Sequence, residues 1–241
     1  MKTTLEQGRD LSVQIAEALR SAIVSGSLIV DQRLPSEADL CENFNVSRPT
    51  VREALKRLAA QNLIRTQRGA TGGAFVNRLS FEDAYGQQIT TSTLLLSMNA
   101  VSFETACEAR FTLEGAALAL AAKRREPDHL ANMRTEVFRQ SQPGLTDEAF
   151  CASDVAFHRA LVDAAQNPVI SYQLAGAVEA IEPLMNMITF SERDRSQIVK
   201  IHGDLADALE ARDVSAMETC LAALQAYTVD LWQKASAKRA K

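Results

Sequence analysis

The sequence predicts a mainly α protein in two parts. A small N-terminal part of three helices is closed by a β-hairpin, and a C-terminal part is an all-α helical bundle. Three observations carry this. Apolar residues recur at helical spacing in both parts, beginning with Ile15, Leu19, Ala22 and Ile23. Over residues 63–76 the pattern changes to short apolar runs separated by glycines. From Ser102 onward no segment reads as a strand.

Asp10 reads as the N-cap of the first helix and Gly26 as its stop. Pro35 ends an extended piece, and Ser36 with Asp39 has the pattern of a capping box, opening a short second helix that ends near residues 42–45. Ser47 reads as the cap of a third helix, with Pro49 in its first turn, where a missing N–H is no loss. On that helix Val51, Ala54, Leu55, Leu58 and Asn62 fall on one face. Leu63-Ile64 and Ala74-Phe75-Val76 read as two short strands, with Gly69, Gly72 and Gly73 supplying the turn. Three helices followed by a two-stranded hairpin outline an N-terminal winged helix-turn-helix domain, residues 1–78.

Residues 79–101 read as a linker, Ser/Thr-rich but with a leucine run in "TTSTLLLSMNA" that could pack on a partner or begin the second domain. That domain spans residues 102–241, with helices expected near 103–125, 128–141, 146–165, 168–190, 191–211 and 214–236. Pro127, residues 142–144, Asn167-Pro168 and Asp213 punctuate them, and Pro183 is expected to kink the fourth.

The chain has 241 residues, 46% hydrophobic and 23% charged, as expected of a folded two-domain protein. No run of about 18 apolar residues suggests a membrane span, and the opening residues lack an apolar signal core, so a cytoplasmic protein with no membrane partner is expected. Cys41, Cys107, Cys151 and Cys220 are far apart and form no CxxC pair, which suits reduced thiols. The net charge of −4 is uneven: residues 1–78 hold 11 Lys+Arg against 8 Asp+Glu, and the remainder 15 against 22. Residues 46–68 hold six basic residues and one acid, Glu53. A basic patch on an acidic chain points to a polyanion partner, although a solvated helix face explains the charge alone equally well.

On the third helix Pro49, Thr50, Arg52, Glu53, Lys56 and Arg57 lie on the outer surface, with Arg48 at the amino end. A helix start offers N–H groups and a positive dipole end to phosphate, and arginine grips guanine edges or phosphate bidentately. This helix is therefore expected to enter the major groove of DNA, with the hairpin, carrying Arg65 and Arg68 near its tip, against the backbone or minor groove. The stretch "RLPSEADLCENFNVSRPTVREALKRLAAQNLIRTQRGATGGAFV" resembles the DNA-binding domain of GntR-family bacterial transcription regulators. The match runs through Leu34-Pro35-Ser36-Glu37, Leu40, residues 46–52, Ala54-Leu55, Leu58 and the Gly-Gly-x-Phe-Val of residues 72–76. The resemblance implies DNA contacts from Arg48, Thr50 and Arg52 and a wing-tip glycine at Gly69. Arg33, Ser47, Pro49, Lys56 and Arg68 complete the candidate DNA-binding set. Ala38 stands where the family often has an arginine, which removes one expected contact.

In the C-terminal half Asp154 and His158 interrupt the apolar stripe of Phe150, Phe157 and Leu161, and His202 interrupts that of Ile198, Leu205 and Leu209. Inward polar groups need partners. A carboxylate and two imidazoles that converge could bind Zn²⁺, Ni²⁺ or Mn²⁺. A buried Asp–His pair with a separately satisfied His202 accounts for the same residues without metal. This half resembles the all-helical FCD effector domain of the FadR subfamily, through "EARFTLEGAALALAA", "DVAFHRALVDAAQNPVI" and "HGDLADALEARD". The resemblance implies a divalent metal on Asp154, His158, His202 and one more histidine about 22 residues beyond His202. That place is Leu224, which cannot ligate, and Cys220, one turn earlier, is the candidate substitute. It also implies an inward Arg110 that pairs an effector carboxylate, giving Arg110, Asp154, His158 and His202 as the effector set. From the residues alone, Arg110 equally suits a surface i,i+4 pair with Glu114.

Together the resemblances imply a ligand-responsive transcription regulator, a repressor, and not an enzyme. It would bind a palindromic double-stranded DNA operator as a homodimer, with a small organic acid or related metabolite in the helical domain. Two other readings stand beside it. A metal-dependent enzyme in the bundle would need an acid/base pair beside an open metal position, and no GxSxG-type nucleophile motif is present. A dimerisation scaffold without an effector would favour apolar residues where Asp154, His158 and His202 stand.

Overall fold

In a computed structural model of the chain, helix α1 (Leu11–Val24) begins where Asp10 Oδ1 accepts the Ser12 N–H at 2.8 Å, and the chain leaves it through Gly26 at φ +76°, a left-handed turn that suits glycine. The structure describes residue 6 and residues 9–69, 72–98, 101–189 and 193–239, with the backbone only at 175, 182–189 and 239. Residues 70–71 of the wing turn, 99–100 of the expected linker and 190–192 at the junction of two expected helices lie outside them. The chain divides into two units, after Ser80.

In the first unit, α2 (Glu37–Phe44) opens on the full capping box of Ser36 and Asp39 and closes on Asn45 at φ +52°. Helix α3 (Arg48–Ala60) follows, with Pro49 in its first turn. Ser47 holds the cap position, but its hydroxyl meets Thr50 Oγ1 at 2.9 Å instead of a backbone N–H. Val51, Ala54 and Leu58 are buried with Ile15, Leu19, Leu40 and Phe44, so α3 is anchored on its inner face by three positions. Asn62, expected on that face, is exposed: the helix has ended, and φ +56° turns the chain toward the hairpin. Strands β1 (Ile64–Gln67) and β2 (Gly73–Val76) pair antiparallel, with Ile64 opposite Val76. Leu63 falls outside the strand. The extended piece before α2 joins the hairpin through an Arg33–Phe75 bridge and the Leu34 N–H, which donates to Ala74 O at 2.8 Å.

The second unit begins with a correction. Residues 81–97, expected to be linker, form helix α4 (Phe81–Ser97), which packs on α8 (Pro168–Thr189). None of its residues is fully buried, and this weak apolar signal is why the stretch reads as a linker. The remaining helices are α5 (Phe103–Arg124), α6 (Pro127–Gln140), α7 (Asp147–Asp163), α9 (Arg195–Ala211) and α10 (Val214–Arg239). Helix α7 packs against α5, α6 and α8, and α9 against α5, α6 and α10. Phe111, Leu118, Met133, Phe157, Leu161, Leu205 and Leu209 are buried in their shared core. Ser102, Thr146 and Asp194 each cap a helix start with a side-chain oxygen. Helix α8 starts at Pro168 and runs through Pro183 without a break.

Replacing Leu58 by Ala is expected to destabilise the first unit by about 2–5 kcal/mol, because its side chain is fully enclosed. Urea denaturation followed by circular dichroism measures this, and a loss below about 1 kcal/mol would contradict the packing of α3 on α1 and α2.

Candidate functional site

The outer face of α3 is the first candidate site. Burial of Val51, Ala54 and Leu58 on one side leaves Arg48, Pro49, Arg52 and Lys56 exposed on the other. Arg48, Arg52 and Lys56 are spaced four apart, so they form one row along the helix. Arg52 is 62% exposed, and its Nε donates to both carboxylate oxygens of Glu37, at 3.2 and 3.0 Å. The link runs from α3 to the first residue of α2 and leaves the guanidinium facing solvent. Among the described residues Arg48 and Lys56 form no ion pair. Thr50 is half-buried, its hydroxyl held by Ser47.

The hairpin is braced from below. Arg33 is exposed, and its Nη2 donates to Gly72 O at 2.5 Å while its guanidinium lies over Gly73. A Cβ at Gly73 would come within 2.8 Å of Arg33 Nε, and one at Gly72 within 2.4 Å of Gln67 O, so both positions require glycine. Arg68 and Gly69 are exposed at the turn, with Gly69 at φ +111°. Arg65, expected near the tip, instead stands opposite Phe75 in the strand register and pairs with Asp31 at 3.2 Å. Arg78 pairs with the same carboxylate at 2.8 Å, and the two arginines hold the Asp31 carboxyl below its ordinary range.

The second candidate site lies inside the helical unit. Asp154 and His158 on α7 and His202 on α9 bring one ligating atom each within 4.8 Å of one another. Both imidazoles are fully buried. His158 Nδ1 stands 2.7 Å from Glu114 Oε1, and Glu114 Oε2 accepts from Arg110 Nε at 3.3 Å. Arg110 and Glu114 are themselves 1% and 0% exposed, so the surface pair open to the sequence is instead a buried one. His202 Nδ1 stands 2.8 Å from Gln140 Oε1 on α6, and its ring stacks on Phe157 with centroids 4.0 Å apart. Its Nε2 faces Asp154 Oδ1 at 3.5 Å.

These contacts orient the rings. With Gln140 Oε1 at its Nδ1, the His202 Nδ1–H donates there and the Nε2 lone pair is left for another partner, while the Glu114 carboxylate stands beside His158 Nδ1. Neither Nε2 has a hydrogen-bond partner among the described residues. Two buried imidazole nitrogens and a carboxylate form the N₂O donor set that Zn²⁺, Ni²⁺ or Mn²⁺ accepts. Ligands at about 2.0–2.2 Å from a tetrahedral metal stand roughly 3.4 Å apart, so modest closure of these side chains would complete the geometry. The residues thus fit a divalent metal. Cys220 does not join them: it is half-buried, and the charges that act on its thiol are those of Asp204 and Lys200. Leu224 is buried in the apolar core.

Charge and burial oppose each other here. Burial pushes the His202 imidazole down to about 3, only partly countered by the Asp154 carboxylate. Burial also works to raise the Glu114 carboxyl, but His158 and Arg110 beside it outweigh that and hold it below the ordinary value. Glu114 was legible as a partner through its spacing from Arg110. Gln140 was not, because nothing in the sequence near residue 140 marks it as facing a histidine 62 residues away.

Both parts of the chain match known families. Residues 11–76 match the bacterial regulatory proteins of the gntR family, and residues 105–226 match the FCD domain. The chain is 28% identical over 207 residues to the galactonate operon transcriptional repressor of Escherichia coli (strain K12), covering 85% of this chain and 89% of that one. It is 27% identical over 213 residues to the HTH-type transcriptional regulator YcbG of Bacillus subtilis (strain 168), covering 88% and 86%. Among solved structures, Streptococcus agalactiae GntR shares the fold at a TM-score of 0.57 and 19% identity, over 92% of this chain and 99% of that one.

The His202 shift has a measurable consequence in metal-free protein. The unfolded chain binds a proton near the ordinary value of 6.5 and the folded chain only near 3, so stability is complete above about pH 6.5 and declines as pH falls toward 3. His202→Asn is expected to flatten the decline between about pH 6.5 and 5, above the ordinary carboxylate range. Thermal melts across that window read the difference, and parallel wild-type and variant curves would show that His202 is not buried as the neutral form.

Proposed function

The chain belongs to the GntR family of bacterial transcription regulators and carries their FCD domain; from that premise we propose that it is a ligand-responsive repressor, of the FadR subfamily, that binds a palindromic operator as a homodimer. One observation carries the DNA half of the reading: α3 is fixed by its buried face and offers Arg48, Arg52 and Lys56 as an exposed row. Set into the major groove, Arg48 and Arg52 reach base edges or phosphate, and Lys56 adds a phosphate contact. The Arg52–Glu37 pair holds the guanidinium extended before DNA arrives, which lowers the ordering loss on binding. Arg33 acts by holding the wing, and Arg68 and Gly69 meet the backbone. The protein works on chromosomal DNA, in the cytoplasm.

The effector half rests on charge. Asp154 and Glu114 make the buried cluster unfavourable for a bare organic acid, and Arg110 is already engaged by Glu114. A divalent cation on Asp154, His158 and His202 would supply the positive charge and open coordination positions that a carboxylate needs. The Escherichia coli relative is named for a galactonate operon, which favours a hydroxy acid as the class of effector. Its occupancy would shift the population between DNA-competent and DNA-incompetent arrangements, a coupling of about 1–3 kcal/mol in ordinary cases. A scaffold without effector leaves the partnerless histidine nitrogens unexplained, and a separate enzyme activity has no support among the named relatives.

Arg48→Ala and Arg52→Ala are each expected to lower affinity for an operator selected from a random duplex pool by about 1–3 kcal/mol, while Lys56→Ala reduces the salt dependence. Fluorescence anisotropy measures this, and full affinity in the Arg48/Arg52 double variant would remove α3 from the interface. For the metal, protein equilibrated with Zn²⁺ and desalted is expected to retain about one ion per chain, lost in His158→Ala and His202→Ala. Elemental analysis decides it, and a metal-free wild type would withdraw the cation from this reading.

A further inference from the structure

Arg159 follows His158 on α7, and one residue along a helix rotates a side chain by about 100°, away from the buried cluster. Its guanidinium lies 4.1 Å from the centroid of the Tyr85 ring on α4. Its Nη1 donates to Glu179 Oε1 on α8 at 2.8 Å, and its Nε faces Asp163 at 3.7 Å. Three helices thus meet on one half-buried side chain. Burial at this junction also pushes the Tyr85 phenol far above its ordinary value.

Helix α4 makes further polar contacts with α8. Gln88 Nε2 donates to Gln173 O on α8 at 3.3 Å, and Ser92 packs so closely on Gly176 that a Cβ there would come within 2.7 Å of its hydroxyl. None of the residues of α4 is fully buried, so its hold on α8 rests on half-buried contacts. A guanidinium stacked on a ring and paired with a carboxylate tolerates far less displacement. In the chain, α4 begins directly after residues 77–80, which follow β2 of the wing.

From this geometry we infer that Arg159 couples the buried histidine site to α4: a ligand drawn onto Asp154 and His158 shifts α7, and the Arg159–Tyr85 contact carries that shift to the helix through which the bundle joins the hairpin. The inference rests on the reading of Asp154, His158 and His202 as a ligand site. A packed core passes on small displacements because it cannot absorb them, and Arg159 is a polar link between the helix that holds two site residues and the helix that leads to the DNA-binding unit. Arg159 is here a positioning residue that touches neither ligand nor DNA.

Amide hydrogen exchange of the full-length protein, with and without Zn²⁺ as the probe, tests this. In the wild type Zn²⁺ is expected to change exchange in both α7 and α4, by about fivefold or more in α4. In Arg159→Ala and in Tyr85→Leu the α7 response stays and the α4 response is lost. The two variants cut one contact from opposite helices, so a defect local to either helix would not give the same result twice. Operator affinity should follow, with a Zn²⁺ effect in the wild type that both variants lack. An α7 response without an α4 response in the wild type overturns the coupling alone, as does an undiminished α4 response in the variants. No response at α7 overturns the ligand-site reading, and the coupling falls with it.

Discussion

A guanidinium, two carboxylates, an amide and two imidazoles are buried in the core of the helical unit, and the contacts among them constrain how its helices are placed. Arg110 and Glu114 come from α5, Gln140 from α6, Asp154 and His158 from α7, and His202 from α9. An apolar seam can shift by part of a turn with little loss, whereas a hydrogen-bonded chain cannot. Buried ion pairs add little net stability, since desolvation offsets their attraction, but breaking one leaves a buried charge uncompensated. The cluster therefore acts chiefly to specify one arrangement. Among the described residues the Nε2 atoms of both histidines have no hydrogen-bond partner, which an inert core would avoid.

The N-terminal unit solves the opposite problem. Its charged groups must stay in water and yet be held in place. Three inward apolar residues fix α3, and the exposed row follows from the helical repeat alone. Glu37 adds a second restraint by holding the Arg52 fork at the solvent surface. Arg33 donates to the carbonyl of Gly72 and so also shapes the wing. Gly72 and Gly73 serve the same purpose, because any side chain there would displace either the turn or Arg33. Basic residues of one patch thus divide into those that face solvent and those that build the surface presenting them.

Helix α4 shows how a weakly apolar stretch can still form a helix. Its half-buried contact with α8 gives it its place in the bundle, and Arg159 from α7 meets it at Tyr85. Elements that relay a change must have two arrangements of similar free energy, and a fully buried helix would have only one.

The sequence by itself determined the order of the elements, the inner and outer faces of α3, the capping box at Ser36, the glycine wing and the inward placing of Asp154, His158 and His202 on their own helices. Each of these follows from spacing along the chain, where helical and strand repeats assign a residue to a face before any neighbour is known. The meeting of Asp154, His158 and His202 at one point was decided by the tertiary structure. The residue that ends a helix was less legible: Asn62 fits the apolar face by spacing, yet a left-handed turn places it outside. Only the tertiary structure decided that Arg110 and Glu114 form a buried pair, that Gln140 orients His202, that Cys220 faces away from the cluster, and that residues 81–97 are a helix. The reason is the same in every case. A polar side chain takes its role from the partner it meets across helices, and a marginal helix forms only when another surface covers its weakly apolar side.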